Sequence, residues 1–278
     1  MHEKEPYTRE DYFTASDDIA DSLKTEYSSI SPEEQSFVNE TGVAIKNYIV
    51  QKYGEHISEK MKERLETAER RILLVSPEDY KTLAEEWVPG SKAEVKDVSG
   101  HYTRLGSMVV INDMVENSKD IWNKNKEIFD KFPGGQQSLV LPYIRLSLIT
   151  ETLVHELVHS CEEDAGNEKI KDAIKRQALD EAGASFITGN IMKERYSMAL
   201  PTTAKFQDER VAMFGNLLSK YGEDVYDIFF SNIPDSTVEK IRYENLVKKI
   251  YSEFTSEKLV GLGIIRSYQA VIYDNMRE

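Results

Sequence analysis

Two histidines and a glutamate near the middle of the chain form a pattern that can do chemistry. The pattern is His155-Glu156-Leu157-Val158-His159. On a helix, residues four positions apart lie on one face, so both imidazole rings can reach a single ion. Neutral imidazole is a good zinc ligand, and a glutamate beside the ion can take a proton from a water molecule. The pattern therefore predicts a zinc-dependent hydrolase with His155 and His159 as metal ligands and Glu156 as general base.

The residues around this pattern favour a buried helix over a solvated one. Apolar residues occur on nearly every side of the segment: Ile144, Leu146, Leu148, Ile149, Leu153, Val154, Leu157 and Val158. A helix that is apolar all round is packed in the interior. Histidine and glutamate side chains there need partners, because an unpaired buried polar group is costly. A bound metal ion would supply those partners, whereas the alternative is a surface helix with two solvated histidines.

A second helix, downstream, offers the third protein ligand that a zinc site requires. Asn167 can cap this helix, and its residues then form a stripe at helical spacing. The stripe comprises Ile170, Ile174, Ala178, Glu181 and Ser185. A carboxylate on a stripe of small and apolar residues needs a cation. We therefore predict Glu181 as the third ligand, with an ion pair to a Lys or Arg as the alternative. Asp180 is the rival ligand, or a partner that orients a ligand histidine.

The two segments together resemble the gluzincin branch of zinc metallopeptidases. The motif at 155–159 is followed, after a short loop, by a helix that carries Glu181, and residues 178–189 resemble the corresponding segment of thermolysin-like, MA-clan peptidases. Thermolysin has Asn before the ligand glutamate and Asp four residues after it, where this chain has Asp180 and Ser185. The resemblance implies a peptidase that binds Zn²⁺ through two histidines and Glu181 and cleaves peptides or proteins.

The resemblance extends to a strand upstream of the motif. Residues 107–112 are a short β-branched run between Gly106 and the turn signal Asn112-Asp113. In zincins, an edge strand ahead of the HExxH helix pairs with an extended substrate. The run occupies that place in the order of elements, so we expect it to be the substrate-binding strand, and an ordinary core strand is the alternative. The resemblance covers roughly residues 100–192.

Other kinds of catalytic site fit the sequence less well. No histidine follows His159, which excludes a site with a third, downstream histidine ligand. The single cysteine, Cys161, lies two residues past His159, a helical spacing that points it away from the histidine face. We therefore expect Cys161 to be a small buried or half-buried residue. The sequence contains no Gly-rich phosphate loop, CxxC pair or EF-hand pattern.

The composition of the chain argues against several classes of protein. The 278 residues, 40 % of them hydrophobic, can form one large core or two modest ones. A net charge of −14 argues against nucleic-acid binding, and a single cysteine excludes an internal disulfide framework. No apolar run is long enough to span a membrane, and the first residues lack the apolar region of a secretory signal. We therefore expect a cytoplasmic protein that binds neither membrane nor nucleic acid.

The order of elements predicts a predominantly helical α+β fold in three parts. Residues 1–70 form an N-terminal helical extension, 71–195 a zincin-like α+β catalytic core with a small mixed sheet, and 196–278 a C-terminal helical subdomain. Strands are predicted at 71–75, 93–98 and within 100–112, and a loop bordering the cleft at 133–137. Predicted helices are 17–27, 32–53, 57–70, 77–87, 115–132, 207–220, 222–230, 235–253 and 256–276.

A peptidase also needs a donor for the oxyanion that forms during hydrolysis. Because no histidine lies downstream of His159, a Tyr or Arg would fill this role. Tyr268 and Arg266 are the candidates, since Gly261 and Gly263 permit a close approach of their helix to the core. Two other functions remain open: a non-peptidase zinc hydrolase, or a zincin-fold regulatory protein whose N-terminal extension mediates interactions or keeps the enzyme latent.

Overall fold

The computed structural model describes residues 30–80, 82, 100–103, 108–161, 170–196, 207–266 and 269. Most of these residues are helical, and they include one three-stranded sheet. This confirms a predominantly helical α+β fold. The predicted helix at 17–27, the predicted strand at 93–98 and the predicted cap Asn167 lie outside the described residues. No described helix is both long and apolar enough to cross a membrane.

The first described helix begins where the sequence predicts. Helix α1 spans Pro32–Tyr53, and its first turn is capped because the Glu34 amide donates to Ser31 Oγ at 3.2 Å. Val38, Ile45 and Ile49 are fully buried at helical spacing. The predicted helix at 57–70 is shorter than expected. It comprises helix α2, Glu59–Glu66, and a 3₁₀ turn, Ala68–Arg71.

The sheet has the strand order β1-β3-β2. The strands are β1, Ile72–Val75; β2, Gly100–Thr103; and β3, Met108–Asn112. Strand β3 pairs parallel to β1, with Ile72 opposite Val109, and antiparallel to β2, with Gly100 opposite Ile111. The prediction that residues 107–112 form a substrate-binding edge strand is therefore wrong, because β3 has a neighbour on each side. Its β-branched residues suit a buried central strand.

Three helices complete this part of the fold: α3, Val115–Lys124; α4, Lys126–Phe129; and α5, Gly134–His159. Helix α5 carries the HExxH pattern and packs against α3, β2 and β3. The predicted helix at 115–132 is interrupted at Asn125, whose side chain donates to the Ile121 carbonyl at 2.9 Å. The predicted loop at 133–137 is wrong beyond Pro133. Gly134 and Gly135 instead form the start of α5, directly after Pro133.

Among its described residues, the later part of the chain contains helices and no strand. The helices are α6, Ile170–Tyr196; α7, Gln207–Tyr221; α8, Asp224–Phe229; α9, Thr237–Ser252; and α10, Ser256–Gly261. Helix α6 packs against α7, α8 and α9. Gly183 permits this packing, because a Cβ atom there would lie 2.3 Å from the Phe229 ring. The predicted helix at 256–276 is interrupted, because α10 ends at Gly261 and the chain turns at Gly263, which has a φ of +71°. Residues 267–268 and 270–276 of that prediction lie outside the described residues.

The chain divides into two compact units. Among the described residues, one unit combines 30–48 with 64–160 and contains the sheet and α5. The other unit combines 49–63 with 161–266 and contains α6 to α10. The three-part division predicted from the sequence, with boundaries after residues 70 and 195, stays a prediction.

Candidate metal centre

Helix α5 holds the HExxH residues by the packing of its apolar positions. Leu153, Val154, Leu157 and Val158 are fully buried, and so is Cys161 just beyond the end of the helix. These contacts fix the rotation of the helix about its axis. The helix is therefore buried around the HExxH motif, as the sequence predicts, and the surface-helix alternative does not hold there. Leu146, which the sequence places in the same buried run, is instead 40 % exposed.

The two histidines present the same nitrogen to the same point. His155 Nε2 and His159 Nε2 are 3.1 Å apart, and the ring planes meet at 81°. Two nitrogens bound to a tetrahedral zinc ion at about 2.0–2.1 Å would be about 3.3 Å apart. Both imidazoles are half-buried. The rings are therefore already arranged as a pair of ligands to one ion would be.

Glu181, on α6, completes a group of three possible ligands. The nearest donor atoms of His155, His159 and Glu181 all lie within 4.8 Å of one another. Two imidazole nitrogens and one carboxylate oxygen form a donor set that suits Zn²⁺. This group could therefore hold a metal ion, and it consists of the three residues selected from the sequence.

Asp180, the rival ligand, lies outside this group. Arg176 Nε is 2.6 Å from Asp180 Oδ1, and both side chains are less than a tenth exposed. The guanidinium of Arg176 also donates to the carbonyl oxygens of Ile228 and Phe229, at 2.8 and 2.6 Å. Those two carbonyls are at the C-terminal end of α8, and the Ile228 carbonyl also accepts from the Ser231 N–H at 3.2 Å. Asp180 and Arg176 thus join α6 to the end of α8.

Glu181 has a cationic partner that the sequence analysis missed. Arg210 Nη1, on α7, is 2.6 Å from Glu181 Oε2. The predicted alternative for Glu181, an ion pair with a Lys or Arg, is therefore present in addition to the ligand group. Arg210 could have been found by the argument that selected Glu181, because it lies three, four and seven residues before Met213, Phe214 and Leu217, which are buried.

Glu156 is buried beside the sheet, with 7 % of its surface exposed. A Cβ atom at Gly100 would lie 3.4 Å from Glu156 Cγ and 2.5 Å from Thr152 Cγ2, so β2 passes directly next to this part of α5. Tyr80 is also buried nearby, and burial together with the negative charge of Glu156 raises the pKa of its phenol. Tyr80 and Gly100 therefore border the proposed general base, and neither was selected from the sequence.

A further carboxyl lies one turn before the histidines. Glu151 precedes His155 by four residues on α5, which places the two on neighbouring positions of one helix face. Burial raises the pKa of Glu151 to about 7. Within the described part of the chain, the Glu151 carboxyl forms no ion pair and no hydrogen bond. Its protonation is therefore set by the low polarity of its surroundings.

The predicted oxyanion donors stay predictions. Tyr268 lies outside the described residues. Arg266 has an exposed side chain, and its backbone N–H donates to Gln269 Oε1 at 2.8 Å. The glycines that suggested this choice end helix α10 and form the turn after it, so the reason for favouring these two residues no longer applies.

No protein-family model, curated protein or solved structure matches this chain. The likeness to gluzincins therefore depends on the HExxH pattern, on Glu181 and on the ligand group that these residues form.

Proposed function

We propose that this chain is a zinc-dependent metallopeptidase of the gluzincin type with a zincin-like core. The observation that carries the proposal is the approach of His155, His159 and Glu181 to within 4.8 Å, with Glu156 on the same helix. Catalytic zinc sites use three protein ligands and leave one position open, and two histidines with one glutamate is a set found in peptidases. Purely structural zinc sites have four protein ligands instead.

Each residue of the site would have its own role in hydrolysis. His155, His159 and Glu181 would hold Zn²⁺, which when bound polarises a carbonyl and lowers the pKa of water. The Glu156 carboxylate would accept a proton from the attacking water and pass it to the leaving amine. Gly100 lies beside Glu156, because a Cβ atom there would be 3.4 Å from Glu156 Cγ. Tyr80 is near enough for the negative charge of Glu156 to raise the pKa of its phenol.

The substrate would lie along a different strand from the one predicted. Among the described strands, β2 has one neighbour, and it passes beside Glu156 at Gly100. An extended peptide can add to such an edge through its backbone hydrogen bonds. We therefore assign substrate pairing to β2 in place of β3. The partner would be a peptide or protein.

Metal content and peptide hydrolysis, measured on the same preparations, test the proposal. The wild type should bind about one zinc ion per chain and cleave an unstructured protein substrate. Glu156→Gln should keep the zinc and lose about 10²–10⁴-fold in kcat, the usual contribution of general acid–base catalysis. Glu181→Ala should lose zinc, whereas Glu209→Gln, an exposed control on α7, should change neither property.

Four outcomes would contradict the proposal in different ways. Failure of the folded wild type to take up zinc would remove the metal site. Full activity of a zinc-loaded Glu156→Gln preparation would remove the general base. A zinc-loaded wild type that cleaves small esters or amides and spares peptides would favour a non-peptidase hydrolase. One that cleaves nothing would favour a regulatory protein.

A further inference from the structure

Arg210 is an arginine directed inward from an otherwise apolar stripe. Met213, Phe214 and Leu217 follow it on α7 at helical spacing, and all three are buried. The Arg210 side chain is only 20 % exposed. A guanidinium in such a place is costly unless its donors are used. The groups that accept hydrogen bonds from Arg210 therefore indicate its role.

Two acceptors at different places hold the guanidinium. Nε donates to the Leu262 carbonyl at 3.1 Å, just past the end of α10, and Nη1 donates to Glu181 Oε2 at 2.6 Å. The Leu262 carbonyl fixes the guanidinium independently of Glu181. The carboxylate is then held against a donor whose position is already determined.

The contact with Glu181 uses one carboxylate oxygen. Arginine often binds a carboxylate through two parallel hydrogen bonds, one to each oxygen. Here the hydrogen bond from Arg210 goes to Oε2, and Nε is turned to the Leu262 carbonyl instead. A carboxylate held in this way keeps its second oxygen for another partner. Glu181 also belongs to the group formed with His155 and His159.

We propose that Arg210 is a positioning residue, which holds Glu181 through Oε2 so that the carboxylate is already oriented to complete the ligand group with the two histidines. This inference rests on the metal site of the proposed function. Partners that orient metal ligands typically contribute 10–100-fold to metal affinity. Arg210 could instead weaken zinc binding, because a guanidinium repels a dication and competes for the carboxylate. The two effects differ in sign, so one measurement separates them.

Zinc affinity, measured by competition with a chromophoric chelator, decides between the two signs. Arg210→Met removes the charge and the donors and keeps most of the length of the side chain. We expect it to weaken zinc binding about 10–100-fold. Arg210→Lys keeps a charge but cannot reach both acceptors with a planar fork, so its loss should be smaller. Unchanged or tighter binding by Arg210→Met would overturn the inference.

Arg176→Met is a matched control on the neighbouring pair. Arg176 also binds a carboxylate of α6, that of Asp180, but Asp180 lies outside the ligand group. This variant should lower the free energy of unfolding and leave zinc affinity within about twofold. Equal losses of affinity in Arg176→Met and Arg210→Met would indicate a general loosening of α6, and would contradict a specific role for Arg210.

A double-mutant cycle tests whether Arg210 acts through Glu181. In a Glu181→Gln background, Arg210→Met should have little further effect on the residual zinc affinity, because the carboxylate to be oriented is gone. A full additional loss in that background would refute the positioning role. If the wild type itself binds no zinc, both the proposed function and the positioning role of Arg210 are refuted. If the wild type binds zinc and only the Arg210 results disagree, the positioning role fails alone.

Discussion

The carboxyl of Glu151 should make the stability of this protein depend on pH in a predictable direction. Burial raises the pKa of the Glu151 carboxyl from 4.5 to about 7. No compensating ion pair of Glu151 occurs within the described residues. The ionised form is therefore disfavoured in the folded chain and not in the unfolded one. Replacing Glu151 by Gln keeps the size of the side chain and removes the ionisation.

The sign and size of the effect follow from the two pKa values. Well below pH 4.5 the carboxyl is protonated in both states, so it has no effect. Between pH 4.5 and about 7 the unfolded chain ionises first, and the folded state loses about 1.4 kcal/mol of stability per pH unit. Above pH 7 the loss is constant, at about 3 kcal/mol as an upper value. We expect Glu151→Gln to be more stable than wild type by about 1–3 kcal/mol at pH 8, and by under about 1 kcal/mol at pH 5.

Urea unfolding of the metal-free proteins at pH 5 and pH 8 measures this difference directly. The slope of the unfolding free energy against urea concentration should be the same in both proteins, so that the difference in stability appears as a shift of the midpoint. Glu127→Gln, at an exposed position of α4, is the control and should show no comparable gain. Equal stability of Glu151→Gln and wild type at pH 8, or an equal gain at both pH values, would refute the reasoning. Added Zn²⁺ should shrink the gain, because a nearby dication lowers the pKa of a carboxyl.

Two further predictions concern the unit that combines residues 49–63 with 161–266, one about an ion pair and one about helix packing. His56 Nδ1 lies 2.9 Å from Asp227 Oδ1, and this hydrogen bond raises the pKa of His56. The pair should therefore stabilise the fold fully below about pH 6.5 and lose its effect as the pH rises through the raised pKa. Asp227→Asn should lower the free energy of unfolding by about 0.5–1 kcal/mol at pH 5.5 and by much less at pH 9, and a loss independent of pH would count against the pair. Gly183→Ala should lower the free energy of unfolding, measured by thermal denaturation, by about 1–3 kcal/mol, because its Cβ would lie 2.3 Å from the Phe229 ring. Gly189→Ala, on the same helix with open space around the added Cβ, should instead stabilise by up to about 1 kcal/mol, and equal effects of the two changes would refute this account.

Elements marked by local chemistry were predictable from the sequence. Helix α1 begins at Pro32 after a capping serine, and both the proline and the cap act within one turn of the chain. Strand β1 is a run of four apolar residues, all of them buried. The HExxH residues share one face because helical geometry requires it. None of these features depends on distant parts of the chain.

The order of the strands depends on pairing between distant segments, and the sequence analysis did not predict it. The residues of β3 have a strong β propensity, which is equally compatible with an edge or a central strand. The outcome is decided by β1, which lies more than thirty residues earlier and pairs with β3 in parallel. Likewise, the sequence around Gly261 and Gly263 predicts a long helix that packs closely on the core. They end α10 and form a turn instead, because glycine adopts a positive φ without strain.

Glu181 shows how two alternatives that were set against each other can both hold. A carboxylate on an apolar stripe needs a cation, and the sequence analysis offered either a metal ion or a basic side chain. Arg210 is a cation on an apolar stripe of another helix, and it therefore needs an anion for the same reason. Two opposite charges on the apolar stripes of two helices are therefore expected to meet. Because a carboxylate has two oxygens, the ion pair at Oε2 leaves room for a ligand role as well. The ion pair is thus evidence about how Glu181 is oriented, and it does not argue against a metal.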